Sequence, residues 1–172
     1  SDLTYEATRG FPAEEVEVRT PAGMARGVSL AGKKVAVVPI LRSGLVMVSG
    51  ILRLMPVAKV GHVGIHRDGA NGGRVNYYCK LPPDIGEREV IVAHPLVASG
   101  WSLCEAVQLL KERGARHIQI MALVAAPQGL QRLAQNHPDV DVYVAAVDQG
   151  LDGQGQVVPG LGDVGERLFG TP

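Results

Sequence analysis

No sign of charge predominates in this chain: 17 Lys and Arg stand against 17 Asp and Glu, for a formal net charge of zero. Wholesale attraction to nucleic acid or to an anionic membrane surface is therefore excluded, and an anionic ligand has to be held by local groups. Long apolar runs are missing as well. The longest, Val35 to Leu41 and Ile118 to Ala126, fall well short of the roughly 18 residues that cross a bilayer, which excludes a membrane span. No basic segment followed by a long apolar stretch opens the chain, so a secretory leader is not expected. Cysteine is rare: Cys79 and Cys104 are too few for a disulfide framework and too far apart for a C-x-x-C pair, which points to a reducing, cytoplasmic setting. Internal repeats and low-complexity blocks are absent too. What is there, 172 residues at 46% hydrophobic and 20% charged, fits one globular domain over residues 1–172 with a sizeable core.

Short apolar runs alternate with segments of helical period, the pattern of a mostly parallel sheet wrapped by crossover helices. Val35 to Val38 reads as a fully buried strand. Leu45, Val48, Ile51, Leu52 and Met55 then recur at helical spacing until Pro56 stops the helix. A second strand is expected from Lys59 to Ile65 and a third at Val90 to Ala93. A helix follows from about Ser102 to Glu112, closed by Gly114. His117 to Val124, a helix over Gln128 to Asn136 and a strand at Val140 to Val147 complete a doubly wound α/β sheet of about five strands. The polar, glycine-rich stretch from Arg67 to Asn76, with Val75 to Cys79 after it, reads as a β-hairpin arm leaving the sheet, of the kind that often serves as a lid. Val16 to Thr20 alternates like a half-buried strand and is expected to decorate the sheet. The C-terminal part is rich in Gly, yet Val157, Val158, Leu161, Leu168 and Phe169 are too apolar for a free tail, so it is expected to fold back as a hood.

In open parallel sheets the ligand crevice lies beyond the carboxyl ends of the strands. Three loops occupy that position: Pro39 to Gly44, His94 to Ser102, and the chain from Asp148 onward. The second runs from strand to helix through Ser99 and Gly100, where amides and the helix dipole suit a phosphate. That spacing also occurs as ordinary strand-to-helix punctuation. Arg42, a planar fork for phosphate among small neighbours, strengthens the phosphate reading. His62, His66, His117 and His137 read as surface or satisfied histidines, and no residue set reads as a metal site. Met47, Met55 and Met121 read as core filler. Tyr77 and Tyr78 fit packing in the arm better than stacking on a base.

Six segments carry a resemblance to a known family: Tyr5 to Thr8, Val37 to Gly44, Tyr77 to Pro82, Leu123 to Pro127, His137 to Val140, and Val158 to Asp163. Together they resemble uracil phosphoribosyltransferases over essentially the whole chain, most specifically from Pro159 to Phe169 and at the Arg42 loop. The resemblance implies the type I phosphoribosyltransferase fold with its arm and hood. It implies transfer of ribose 5-phosphate from phosphoribosyl diphosphate (PRPP) to N1 of uracil with Mg²⁺, carried in with PRPP. Homo-oligomers are usual in the family, whose members also have a longer segment before Tyr5, so the chain looks N-terminally short. By the same resemblance Arg42 grips the diphosphate and Arg67, at the root of the arm, closes onto it. The PRPP loop is His94, Pro95, Leu96, Val97, Ala98, Ser99, Gly100, Trp101 and Ser102, with Ala98 to Ser102 around the 5-phosphate. Val157, Gly162 and Val164 meet the edge of uracil through main-chain groups, and Asp163 lies beside PRPP and the base.

The sequence departs from the family at four of these places. The PRPP loop of the family opens with an Asp that binds the ribose hydroxyls and continues through Thr, Gly, Gly and Ser; here those positions hold His94, Ser99, Gly100, Trp101 and Ser102. Each lost bond to a carboxylate is worth roughly 1.5 to 3 kcal/mol. An indole at Trp101 must swing into solvent, fill the ribose site or shift the loop. Gln156 replaces the usual Tyr before the base-reading segment. Two functions stay open on these residues: a uracil phosphoribosyltransferase, for which Arg42, Arg67 and Asp163 speak, or a diverged relative without PRPP transfer. The second would be a nucleotide-binding regulator or a biosynthetic enzyme for another small molecule, with His94 a conceivable general acid or base.

Overall fold

Val35 to Pro39 form β3, a strand buried along its whole length, and its alternate side chains belong to two different cores. Ala36 and Val38 face one cluster, Val35 and Val37 the other, which is the signature of a parallel sheet covered on both faces. The computed structural model describes residues 2–31, 34–69 and 72–172. In chain order, α1 (Asp2–Thr8) leads into the hairpin β1 (Ala13–Thr20) and β2 (Gly23–Leu30) before β3 (Val35–Pro39). Then come α2 (Leu45–Leu54), β4 (Lys59–Val60) and the arm β5 (His62–Arg67) with β6 (Arg74–Lys80). A single 3₁₀ turn (Ile85–Glu87) precedes β7 (Glu89–Ala93), which is followed by β8 (Leu96–Val97), α3 (Trp101–Glu112) and β9 (His117–Ala125). The chain closes with α4 (Pro127–Asn136), β10 (Asp141–Val147), β11 (Gly150–Leu151), β12 (Val157–Val158) and α5 (Val164–Phe169).

The strands β10, β9, β7, β3 and β4 lie side by side in that order, all parallel, and β8 pairs with β9 beyond the end of β7. This is the mixed α/β architecture that the alternation of runs implied. On one face, α3 inserts Leu103, Ala106, Val107 and Leu110 against Val90, Val92 and Ile120. On the other, Met47 and Ile51 of α2 and Ala7 of α1 meet Val37, Ile91 and Met121. Gly114, at φ 93°, ends the α3 segment where a left-handed residue is needed, and its amide returns to Lys111 O at 3.0 Å.

Two expectations are corrected. The stretch from Lys59 to Ile65 is not one strand: only Lys59 and Val60 pair with β3, and the chain is redirected at Gly61. Val60 pairs with Val37, and although β3 runs on to Pro39 the ladder stops at that pair: Gly61 N still bonds Val37 O at 2.9 Å, and contact resumes as an Ile40–Val63 bridge with a 2.8 Å bond from Leu41 N to Val63 O. From His62 onward β5 takes β6 as an antiparallel partner, bulging between Gly64 and Ile65. The arm is therefore built as expected, although residues 70 and 71 of the stretch lie outside those described. Likewise Val16 to Thr20 does not decorate the central sheet. It pairs with β2 as a separate two-stranded hairpin, on which Val18 and Val28 stay exposed while Leu30, at its end, packs against the core.

Candidate active site

The sheet reverses its direction of winding between β3 and β7: from β3 the chain moves outward to β4, then returns to the other flank of β3 to lay down β7, β9 and β10. The loops beyond these two strands thus separate and leave a crevice. A cleft of about 310 Å³ lies there, lined by Arg42 and Ser43, by His94 and Leu96 to Leu103, and by Gly155, Gln156 and Gly162 to Gly165.

The first wall turns sharply after Ile40. Gly44 N closes onto Ile40 O at 2.9 Å, and the Leu41–Arg42 peptide is cis. The exposed Arg42 guanidinium donates to Thr171 Oγ1 at 2.9 Å and Thr171 O at 3.1 Å, with Phe169 under its carbon at 5.5 Å.

The second wall is stitched to the end of β9. Pro95 O accepts from the amides of Leu123 and Val124, and Val97 O accepts from Ala126 N. Gly100 then caps α3 at φ 75°, ψ −3°, a left-handed conformation in which a Cβ would sit 2.7 Å from Gly129 O. The first amide of the helical ladder is Cys104 N, bonded to Gly100 O, so the preceding amides lie outside the ladder, at the positive end of the helix dipole. Trp101 N is met by Ser99 Oγ at 3.4 Å. His94 Nδ1 lies 2.8 Å from Leu96 O, a carbonyl that can only accept, so Nδ1 carries the proton and Nε2 is the basic nitrogen. Burial of the ring pushes its pKa below the usual histidine value, against the opposing pull of that carbonyl.

The third wall is the hood, built on carboxylates that collect main-chain amides. Asp148 Oδ2 accepts from Gly160 N at 2.8 Å, Asp152 Oδ1 from Gln154 N and Gln156 N, and Asp163 Oδ1 from Glu166 N as the cap of α5. The Val158–Pro159 peptide is cis. A cation, a set of helix-start amides and a carboxylate thus face one crevice from three separate loops, an arrangement suited to a sugar carrying phosphates.

A family model described as "Uracil phosphoribosyltransferase" matches residues 2–171. The chain belongs to the uracil phosphoribosyltransferase family. Curated uracil phosphoribosyltransferases from Clostridium tetani and from Thermoanaerobacter sp. (strain X514) are 56% and 54% identical over 169 residues, 98% of this chain and 81% and 80% of theirs. The solved structure of the AQ2163 protein from Aquifex aeolicus superposes with a TM-score of 0.89 at 36% identity, covering 98% of this chain and 80% of that one. A hypoxanthine-guanine phosphoribosyltransferase from Bacillus anthracis, 14% identical with a TM-score of 0.58 over 88% of this chain and 75% of that one, shares the fold.

Among the residues singled out from the resemblance to uracil phosphoribosyltransferases, Arg42, Asp163, His94, Leu96 to Ser102, Gly162 and Val164 all line the cleft. Among the described residues the lining does not include Arg67, Pro95 or Val157. Pro95 is buried as the anchor of its loop on β9, and Val157 is 4% exposed in the β11–β12 pair. Arg67 is not at the root of the arm but at its tip, as the last residue of β5 paired with Arg74 across the turn, and from there it reaches the rim from outside, its guanidinium carbon 4.7 Å from the ring centroid of Trp101. The indole neither fills the cleft nor swings free: it lies at the cleft wall, partly buried against the core cluster beneath α3. Ser43, Gly155 and Gly165 also line the site and had no assigned role. Ser43 stands beside Arg42 in the quoted loop; Gly155 and Gly165 are brought in only by the folding back of the hood.

Proposed function

We propose that this chain transfers the 5-phosphoribosyl group of PRPP to N1 of uracil, giving UMP and diphosphate. The observation that carries this reading is the open crevice beside Arg42 and Asp163, which Trp101 borders without plugging. In the reaction the bond from ribose C1 to the diphosphate breaks and the bond to N1 forms through an oxocarbenium-like centre. Catalysis then consists of holding two anionic groups and one flat base in line, with charge stabilised by fixed dipoles.

On this reading the amides from Ala98 to Ser102 take the 5-phosphate at the start of α3. Arg42 forks the diphosphate, for which its planar donors are suited, and exchanges Thr171 for phosphate oxygens as the ligand enters. Uracil lies against the hood, read by main-chain groups near Gly162 and Val164, where a left-handed glycine lets backbone approach without a side chain. His94 replaces a carboxylate, and its Nε2 offers one acceptor to a ribose hydroxyl.

Asp163 is the sole carboxylate among the described lining residues. One carboxylate fits a magnesium ion that arrives on PRPP and draws most of its ligands from phosphate and water. Such an ion would neutralise diphosphate charge as the leaving group departs. We further propose that residues 1–172 act as one domain and that the working form is a homo-oligomer in the cytoplasm. Among the described residues, no helix is long and apolar enough to cross a membrane.

A second reading, a nucleotide-binding relative without transfer, draws on the neutral His94 where a carboxylate is usual. Steady-state assay with PRPP, uracil and Mg²⁺ separates the two. Release of diphosphate with formation of UMP supports transfer. Absence of both at millimolar substrate, together with tight UMP binding by calorimetry, supports the second.

A further inference from the structure

Two arginines stand opposite each other in the register of the arm, Arg67 on β5 and Arg74 on β6, and α3 receives them in different ways. Arg74 is held by ions and a carbonyl: its Nη2 reaches Glu112 Oε2 at 2.9 Å, its Nε lies 3.9 Å from Glu105 Oε2, and its Nη1 donates to Glu105 O at 3.2 Å. Arg67 instead meets the indole of Trp101, at the first position of the same helix, with 4.7 Å from guanidinium carbon to ring centroid. The arm is therefore fastened along α3 at both of its facing arginines. The chemical difference between the two fastenings matters. Carboxylates neutralise the charge they hold, whereas an indole carries none, so its contact leaves the guanidinium positive. A guanidinium over a ring engages it by a face and keeps its in-plane N–H fork for an anion.

We propose that Trp101 is a positioning residue for Arg67: its ring holds the guanidinium at the rim of the cleft, charged and with donors to spare, so that the diphosphate of PRPP meets an arm already in place. The inference deepens the transferase reading and rests on it. It also gives the indole a purpose in a loop where the family places glycine. Glycine would free the loop but leave Arg67 without a seat. Trp101 is the ring at the rim, and a phosphate bound at the start of α3 lies next to it along the chain. Acting through Arg67, the ring exerts its effect on binding of PRPP rather than on the chemical step.

Trp101 is the single tryptophan of the chain, so intrinsic fluorescence reports its surroundings directly. Titration of the full chain with inorganic pyrophosphate and Mg²⁺ is expected to change tryptophan emission in the wild type. In Arg67→Gln, emission of the unliganded protein shifts and the response to pyrophosphate weakens at least about fivefold in apparent affinity. In transfer assays, Trp101→Phe, which keeps an aromatic face, holds the PRPP KM within about twofold, whereas Trp101→Leu raises it about fivefold with kcat little changed. Identical emission and pyrophosphate affinity in wild type and Arg67→Gln would overturn the proposal. So would a PRPP KM that falls, or stays put, in Trp101→Leu, because the indole would then be an obstruction or a bystander. If the wild type forms no UMP, the transferase reading fails alone and the fluorescence titration still decides whether Trp101 seats Arg67.

Discussion

Arg42 and Thr171, 129 residues apart in sequence, are joined by two hydrogen bonds, one to the threonine hydroxyl and one to its carbonyl. The hood is thereby drawn over the first wall of the cleft, and the guanidinium fork is already aimed at oxygen acceptors. Phosphate oxygens are stronger acceptors than either group of Thr171, so ligand entry is an exchange of partners at a fork whose direction is set.

Substituting Lys for Arg42 keeps the charge and removes the fork. We expect kcat/KM for PRPP to fall roughly 10- to 100-fold in Arg42→Lys, the worth of one charge-assisted bond. Thr171→Val, which keeps the carbonyl contact, should change it by less than about threefold. A steady-state comparison of the two variants checks both; equal losses would mean that the hood contact, and not the fork, is what Arg42 supplies.

At His94 the pKa lies below the ordinary histidine value because burial disfavours the charged ring. Between the unfolded and folded pKa values the unfolded chain binds the proton more readily, so folding stability is full above the unfolded value of about 6.5 and declines as pH falls through it. Thermal melts at pH 7.5 and pH 5 should show a larger loss for the wild type than for His94→Asn. Parallel losses in the two proteins would place the acid sensitivity elsewhere.

Restoring a carboxylate at the same position provides a chemical test of what it faces. His94→Asp should bind PRPP roughly tenfold more tightly by calorimetry, since an ionised acceptor bonds a hydroxyl more strongly than a neutral imidazole does. Unchanged or weaker PRPP affinity, with the fold intact by circular dichroism, would show that this side chain does not meet the ribose.

Gly100 combines a left-handed φ with a carbonyl, Gly129 O, 2.7 Å from where a Cβ would stand. Gly100→Ala is therefore expected to cost at least about 2 kcal/mol in urea unfolding, partly from φ and partly from displacing α4. Because the same displacement spreads the amides at the start of α3, pyrophosphate affinity should fall with it. A variant as stable as the wild type would mean that the loop relaxes without strain.

The periodicity of the chain predicts the central strands and helices well where both faces of a strand are covered. Val35 to Val38 and Val90 to Ala93 have no polar face to misplace, and their burial depends on composition alone. It misleads where partners decide the outcome. Lys59 to Ile65 carries Val60, Val63 and Ile65 in one short run, and nothing in it marks Gly61 as the place where pairing passes from β3 to β6. Val16 to Thr20 alternates as a half-buried strand does, but alternation cannot say whether a second layer exists to cover it.

For the site, the sequence by itself determined its ingredients: an arginine in the loop after a buried strand, a glycine where a strand passes into a helix, and a glycine-rich C-terminal segment, with Asp163 singled out through the family resemblance. Each of these is read within a few residues of chain. Only the tertiary structure decided that Arg42 is held by Thr171, that the Trp101 ring borders the cleft instead of occupying it, and that Arg67 comes to rest on that ring. Those are contacts between segments far apart in the chain, set by how the arm and the hood pack on the sheet, and no pattern of neighbouring residues encodes their direction.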